Sequence, residues 1–468
     1  MLAIENKDRV REEVNLSKTD VMNLINACQS FPRLLEPQIE RENILEAIDM
    51  TFAGEAQVLI IEGPEGIGKT TLLAQFAKKH PNNAISLFIK PTSHWAYDPE
   101  LLKYDLCNQM HWALHHEELR PLETITNDRL REYIVALRLK ARWGEFYFIV
   151  DGLHEIPEEN EQLREIILDM LPWGLPGFRF LFSGDAKQFS SQRMHLIISK
   201  ISQLPPFSTE ETKRYMADLE IEKQYVEKVH KAHRGVPSKL SSVRRILISE
   251  SQRPLEAQKI LEEASGVFNN PYQIEWQNVK TNNQQQVILL AIVAHDLKEH
   301  TSTDLSRIML TTEDTILKLI QDLNFIFIDP HNAEISFVSE EFRKFAAIQL
   351  RHLKETVNDL LIQDLLRDPE GDDALAYLPE YLQQAGKAKE LIEYLSPDRF
   401  SKIVEKAQSL GTVRKKAALG VFAALKMKND NDLLRFTLQE SLISDFDEAG
   451  VWRSEIEARM AVGDHKTA

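Results

Sequence analysis

The chain has 468 residues, 43% of them hydrophobic, and carries 56 lysines and arginines against 72 acidic residues, a formal charge of −16. That length implies two to four domains, and the acidic balance excludes extended nonspecific contact with nucleic acid or an anionic membrane surface. Two cysteines, Cys28 and Cys107, do not by themselves make a disulfide framework or a zinc site, and with no 18-residue apolar run and no secretory signal the expected compartment is the cytoplasm.

Residues 1–31 read as a polar, helix-prone segment with an apolar stripe through Val21, Leu24, Ile25 and Cys28. The stripe needs a partner surface, either the core of this chain or a separate effector recruited through residues 1–30. From Leu34 to Ile48 a turn precedes a helix. The run Val58-Leu-Ile-Ile-Glu-Gly-Pro-Glu-Gly-Ile-Gly-Lys-Thr-Thr71 then reads as a buried strand, a glycine-rich turn and a helix start. Gly63, Gly68, Lys69 and Thr70 fill GxxxxGK[ST], the spacing at which backbone N–H groups point into one concavity and wrap phosphates. Glycine lets the backbone approach without a Cβ clash, Lys69 suits the β- and γ-phosphate oxygens, and the Thr70 hydroxyl suits Mg²⁺. The helix expected from Thr70 to Lys79 adds positive potential at its start. Pro64, Gly66 and Thr71 complete the loop's candidate binding set, and the expected cofactor is ATP or ADP with Mg²⁺; the loop alone does not distinguish ATP from GTP.

Strands at 58–61, Ala84 to Ile89, Phe146 to Val150 and Phe178 to Phe182 alternate with helical patterns. That order predicts an α/β P-loop NTPase domain, a parallel sheet flanked by helices, over residues 32–204. The strand Phe146 to Val150 delivers Asp151 at its C-terminal end, where open α/β sheets bind ligands. Asp151 is assigned with Thr70 to Mg²⁺, and Glu155 to orienting or deprotonating an attacking water. His111 and His115 lie one helical turn apart, but Cys107 is the only further ligand on that face, so they read as part of an amphipathic helix.

After Leu204-Pro-Pro206 the strands are expected to stop. Ser208-x-x-Glu211 is a capping box that opens helices over 208–219, 221–233 and 237–249, a helical lid domain assigned to residues 205–270. Helices near 283–298, 302–310 and 312–324, followed by two short apolar strands around an Asp-Pro-His-Asn turn, predict a winged helix over 271–350. Its third helix offers Lys318 beside Glu313, Asp314 and Asp322, so a phosphate backbone repels it and DNA is not the expected partner. From 351 to 468 helix follows helix, with turn signals at Pro369-Glu-Gly371, Gly386, Pro397, Gly411, Asn429-Asp-Asn431 and Gly463, which predicts stacked α-helical repeats. Val451 to Ala468 reads as a repeat begun and not completed, so the array is expected to be truncated.

The strand ending Asp151-Gly-Leu-His-Glu155 resembles the hhhhD[GAS]hDE signature of the NACHT branch of STAND ATPases, signalling P-loop ATPases with numerous domains. Three more segments follow in that family's order. Ile39-Glu-Arg-Glu42 is similar to its hhGRE motif, with Glu40 where glycine is usual. Gly235-Val-Pro237 resembles the GxP motif whose proline packs on adenine. Phe337-Val-Ser-Glu-Glu-Phe-Arg-Lys-Phe345 resembles the last winged-helix segment, which often carries a histidine near the ADP β-phosphate. The resemblance covers residues 32 to 350 and implies that Arg41 and Pro237 join the cofactor-binding set. It further implies a switch set by ADP or ATP, a trigger sensed on the helical (TPR-like) repeats, self-association into a homo-oligomer, and roles such as immunity and anti-phage defence. Departures from the pattern are informative. His154 replaces a second acidic residue, which implies weak hydrolysis. Ser183-Gly-Asp185 replaces a Thr-Ser-Arg sensor, leaving Arg193 as a substitute, and Ser339 occupies the histidine position. Two rival readings are an initiator-like DNA-handling ATPase or transcriptional regulator using the winged helix, and a scaffold that keeps nucleotide as a structural cofactor.

Overall fold

The computed structural model describes residues 24–32, 34–89, 99–119, 125–141, 144–156, 161–185, 199–219, 221–250, 270–280, 283–296, 298–329, 333–406 and 410–443. The first unit contains α1 (Leu24–Ala27), α2 (Glu42–Ala53), β1 (Val58–Glu62), α3 (Lys69–Lys79), β2 (Ala84–Phe88), α4 (Pro99–His115), α5 (Asn127–Lys140), β3 (Phe146–Asp151), α6 (Glu161–Asp169), β4 (Phe178–Ser183) and β5 (Ser199–Gln203). Its five strands are all parallel, in the order β2-β3-β4-β1-β5. Strand side chains alternate between faces with period two, so an apolar run feeds two cores at once. Val58 and Ile60 join the core built with α4 and α5, whereas Leu59 and Ile61 join the one built with α2 and α3.

The sheet order decides what meets at the ligand end. β4 lies between β1 and β3, with Ile61 opposite Ser183 and Val150 opposite Phe182. The C-terminal ends of the three strands are therefore neighbours, and they carry the phosphate loop, Ser183 and Asp151. β5, which the sequence pattern did not indicate, pairs with β1 from Val58↔Ser199 to Glu62↔Gln203. It was hidden because Ser199-Lys-Ile-Ser-Gln203 has one apolar residue, Ile201, and that residue is 57% exposed. An edge strand needs no apolar run.

Ser208 caps α7 (Thr209–Tyr215), and the reciprocal bond from the Ser208 N–H to Glu211 completes the expected capping box. α8 (Lys223–His233) and α9 (Pro237–Glu250) follow, and Met216, Val226, Val229, Leu240 and Val243 form the core of this helical unit. Next comes a short helix that the sequence pattern missed, α10 (Pro271–Trp276), capped by Asn270 with proline at its first position. A unit of three helices and a small antiparallel sheet follows: α11 (Gln284–His295), β6 (His300–Thr301), α12 (Ser302–Ile308), α13 (Glu313–Ile320), β7 (Ile326–Ile328) and β8 (Glu334–Phe337), with strand order β6-β8-β7. α14 (Glu340–Gln349), capped by Ser339, leaves this hairpin unit.

Paired helices complete the described chain: α15 (Lys354–Leu365), α16 (Asp372–Gln384), α17 (Ala388–Tyr394), α18 (Pro397–Lys406), α19 (Leu410–Met427) and a helical stretch at 430–443. Gly411, read as a turn, lies in the first turn of α19, where a glycine disturbs the hydrogen-bond ladder least. One apolar core runs unbroken from Tyr272 to Phe436, joining the hairpin unit to these pairs. Among the described residues, no helix is long and apolar enough to cross a membrane.

Candidate active site

The phosphate loop hangs from β1, the strand between β4 and β5, and opens into α3. Gly66 adopts φ 76°, a left-handed conformation that favours glycine, and a Cβ there would collide with the Ser238 side chain. Lys69 folds back along the loop, its ammonium donating to the Gly63 carbonyl at 2.8 Å and the Pro64 carbonyl at 3.1 Å. Burial lowers its pKa, and the opposing pull comes from the charges of Asp151, Glu341, Glu65 and Glu155. Thr70 and Asp151, the pair assigned to Mg²⁺, are in contact: the Thr70 hydroxyl donates to Asp151 Oδ2 at 2.5 Å. Thr71 follows within α3.

The other Asp151 oxygen accepts a short hydrogen bond from Ser183, which is fully buried at the end of β4. Sequence reading treated this position only as the place of a missing arginine. Its role as an orienting hydroxyl follows from the sheet order, which no local pattern encodes. Gly152 has φ 85° because the Ile89 carbonyl stands where a Cβ would be. The turn it permits carries His154 and Glu155 toward the loop. Glu155 is pushed up to about 7, first by burial and then by the charges of Glu340 and Asp151. Burial lowers the His154 pKa. His154 Nδ1 and Glu155 Oε2 are buried polar atoms with no hydrogen-bond partner. A phosphate loop with glycines in left-handed conformation, a hydroxyl–carboxylate pair and orphaned polar atoms beside them fit a Mg²⁺ nucleotide.

Two downstream units sit on the loop. The Ser238 N–H, at the start of α9, donates to the Gly66 carbonyl at 3.1 Å, and Pro237 Cγ lies 3.9 Å from the position of a Cβ on Gly68. From α14, Lys344 pairs with Glu65 inside the loop, and a Cβ on Gly66 would lie 3.3 Å from Glu341 Oε1. Sequence reading missed Glu341 and Lys344. They lie on the segment singled out through Ser339, but Ser339 itself is occupied as the cap of α14.

Arg41, expected among the cofactor-binding residues, is turned elsewhere. Its Nη1 donates to the Pro205 carbonyl at 2.9 Å, Nη2 to the Pro206 carbonyl at 3.2 Å, and Nε to Glu211 at 3.0 Å, so the guanidinium clamps the linker between the sheet and the helical unit of α7 to α9. The reason is geometric: α2 starts beside that linker, and a planar fork matches two successive carbonyls and a carboxylate. Arg193 lies outside the described residues. His111 accepts or donates a 3.1 Å hydrogen bond with Tyr133, and no cluster of three or more metal-binding side chains occurs among the described residues.

Residues 36–176 match the family model of the AAA ATPase domain. No curated protein sequence matches the chain. Among solved structures, a signal transduction ATPase with numerous domains and a tetratricopeptide repeat sensor from Pyrococcus horikoshii is 15% identical, with a TM-score of 0.50 over 94% of this chain and 69% of that one. A Walker-type ATPase of Pyrococcus abyssi is 14% identical, with a TM-score of 0.39 over 69% of this chain and 99% of that one. The RuvB Holliday junction branch migration motor of Thermotoga maritima is 16% identical, with a TM-score of 0.29 over 69% of this chain and 98% of that one. At these identities the first likeness speaks to fold. The parallel sheet, its phosphate loop and the matched family model together make residues 36–176 an AAA-type P-loop ATPase domain.

Proposed function

We propose that this chain is an ATP/ADP-dependent signalling switch of the STAND kind. The observation that carries the reading is the seating of two downstream units on the phosphate loop, through Ser238 on Gly66 and Lys344 on Glu65. On this reading the diphosphate form holds the P-loop domain, the lid and the winged helix formed by α11 to β8 together. Exchange for ATP then frees the domains, and the opened form self-associates. Thr70 and Asp151 hold Mg²⁺, the loop from Gly63 to Thr71 holds the phosphates, and Glu155 orients the attacking water. With His154 in place of a second carboxylate, hydrolysis is weak, well below the median enzyme rate of about 10 s⁻¹.

The paired helices after residue 353 supply a surface for the trigger, in line with the repeat sensor named for the pyrococcal structure. Moving such a switch from about 1:99 to 99:1 takes roughly 5.5 kcal/mol of differential affinity, which nucleotide and trigger can provide jointly. A cytoplasmic defence role fits this scheme; Leu24, Ala27 and Cys28 are buried against β2 and α4, so an effector recruited through residues 1–30 would have to use the positions before Leu24. A DNA-handling role is disfavoured by the net charge of −16 and by Lys318, the cation of α13, pairing with Asp314 at 2.5 Å. The test is nucleotide retention: purified Lys69→Ala protein is expected to carry no bound nucleotide by chromatography of a denatured extract. Bound nucleotide at wild-type levels in that variant would sink the assignment.

A further inference from the structure

Glu341 is the most unusual group at the loop. It stands in the first turn of α14, contributed by a unit far downstream in sequence, with its Oε1 3.3 Å from the Cβ position of Gly66. The neighbouring charges are matched: Lys344 is paired with Glu65, and Glu340 is held by Arg343 through bonds of 2.8 and 2.6 Å. Among the described residues no cation forms an ion pair with Glu341. The cap hydroxyl of Ser339 is its side-chain hydrogen-bond partner, and its charge acts on Lys69. Burial pushes its carboxyl up, the sign of a buried charge without full compensation. A phosphate loop is an anion cradle, and here the cradle already faces an anion belonging to the chain itself.

We propose that Glu341 is a specificity-determining residue that lets the closed molecule accept a nucleoside diphosphate and bars a triphosphate. This rests on the nucleotide-switch reading above. Discrimination by an unpaired like charge is a repulsive device. A third phosphate adds negative charge on the Lys69 side of the loop, where Glu341 and the carboxylates of Glu65, Asp151 and Glu155 already act on that lysine. Like charges within a partly buried site repel far more strongly than in water. Phe342 and Ala346 anchor α14 in the core of its own unit, and the half-exposed Lys344–Glu65 pair ties that unit to the loop, so a triphosphate enters only when the unit moves off the loop. Closure thus works by exclusion, and Lys344 latches the protein instead of gripping the ligand.

The experiment compares wild type, Glu341→Gln, Lys344→Ala and Lys69→Ala, all as the full chain stripped of nucleotide. Fluorescent ADP and a fluorescent non-hydrolysable ATP analogue are titrated with Mg²⁺ present. Glu341→Gln is expected to raise triphosphate affinity relative to diphosphate affinity by about tenfold or more, the scale of one removed like charge in a partly screened site. Lys344→Ala, which unlatches α14 while leaving Glu341, shifts the ratio in the same direction. A ratio within twofold of wild type in Glu341→Gln overturns the assignment, as does a loss of triphosphate affinity in Lys344→Ala, which would make α14 a grip. If wild type binds neither nucleotide, or Lys69→Ala binds both unchanged, the P-loop reading fails and this assignment with it. Intact Lys69-dependent binding with an unchanged ratio overturns the Glu341 role alone.

Discussion

The function proposed above assigns the attacking water to one carboxyl, Glu155. It sits on the turn after Gly152, buried, with Oε2 unpartnered and its pKa pushed up to about 7. Folding raises this group above its ordinary value of 4.5, so the folded form holds an extra proton between about 4.5 and 7. The stability it contributes is full below that window and is lost as the pH rises through about 7. Catalysis runs the other way, because only the ionised form accepts a proton from water. Single-turnover hydrolysis is therefore expected to climb about tenfold per pH unit below 7 and level off above it. Glu155→Gln should abolish both the rate and the titration. A pH-independent wild-type rate from 5.5 to 8 would remove Glu155 from the base role. Ser183 belongs to the same scale: with Thr70 it fixes both oxygens of Asp151, so the carboxylate is oriented before any cation arrives.

Among the elements, the joint between β5 and α7 is the most constrained. Arg41 is 7% exposed and ties the Pro205 and Pro206 carbonyls to Glu211, which also receives the Ser208 N–H at 2.6 Å. Arg41→Ala leaves these acceptors partly unsatisfied and should cost about 2 to 3 kcal/mol, the scale of a lost charge-assisted hydrogen bond at a buried site. Urea unfolding checks it, and a change under about 0.5 kcal/mol, typical of surface substitutions, would contradict the clamp. Arg41 also marks the limit of what the sequence discloses. The P-loop, the strand carrying Asp151, the capping box at Ser208 and the hairpin after α13 were legible because each is local: a spacing, a period or a turn. The direction of Arg41, the edge strand β5 and the meeting of Glu341 with Gly66 were not. They depend on the stacking of elements distant in sequence, with Glu65 and Lys344 separated by 279 residues.

At the scale of the molecule, the apolar core ignores the border expected near residue 350. Val357, Leu361 and Ile362 of α15 belong to the same core as Leu289 and Leu290 of α11. Across that border, the Tyr381 hydroxyl bonds the buried Asp296, which also holds His300 on its own side, and Arg307 pairs with Asp364. Further out, buried Lys416 joins α19 to α16 through Glu380 and the Ala376 carbonyl. Residues 271–436 should therefore open as one cooperative unit. Hydrogen exchange of α11, α15 and α16 is expected to report a common opening energy, and a spread above about 2 kcal/mol would refute a single unit. Truncation after Leu353 strips the apolar face of α11 and should yield insoluble protein, so the helical pairs support the hairpin unit before they serve anything else.

The bond from Ser238 to Gly66 has a temporal consequence. On the switch reading proposed above, with α9 and α14 both resting on the phosphate loop, a bound nucleotide would leave only after two contacts, made by different parts of the chain, have let go. The waiting time for exchange is then fixed by how often both detach together, and a higher concentration of free nucleotide does not shorten it. A switch built this way would keep a record of the last nucleotide it held, and the lifetime of that record could be altered from outside the cradle.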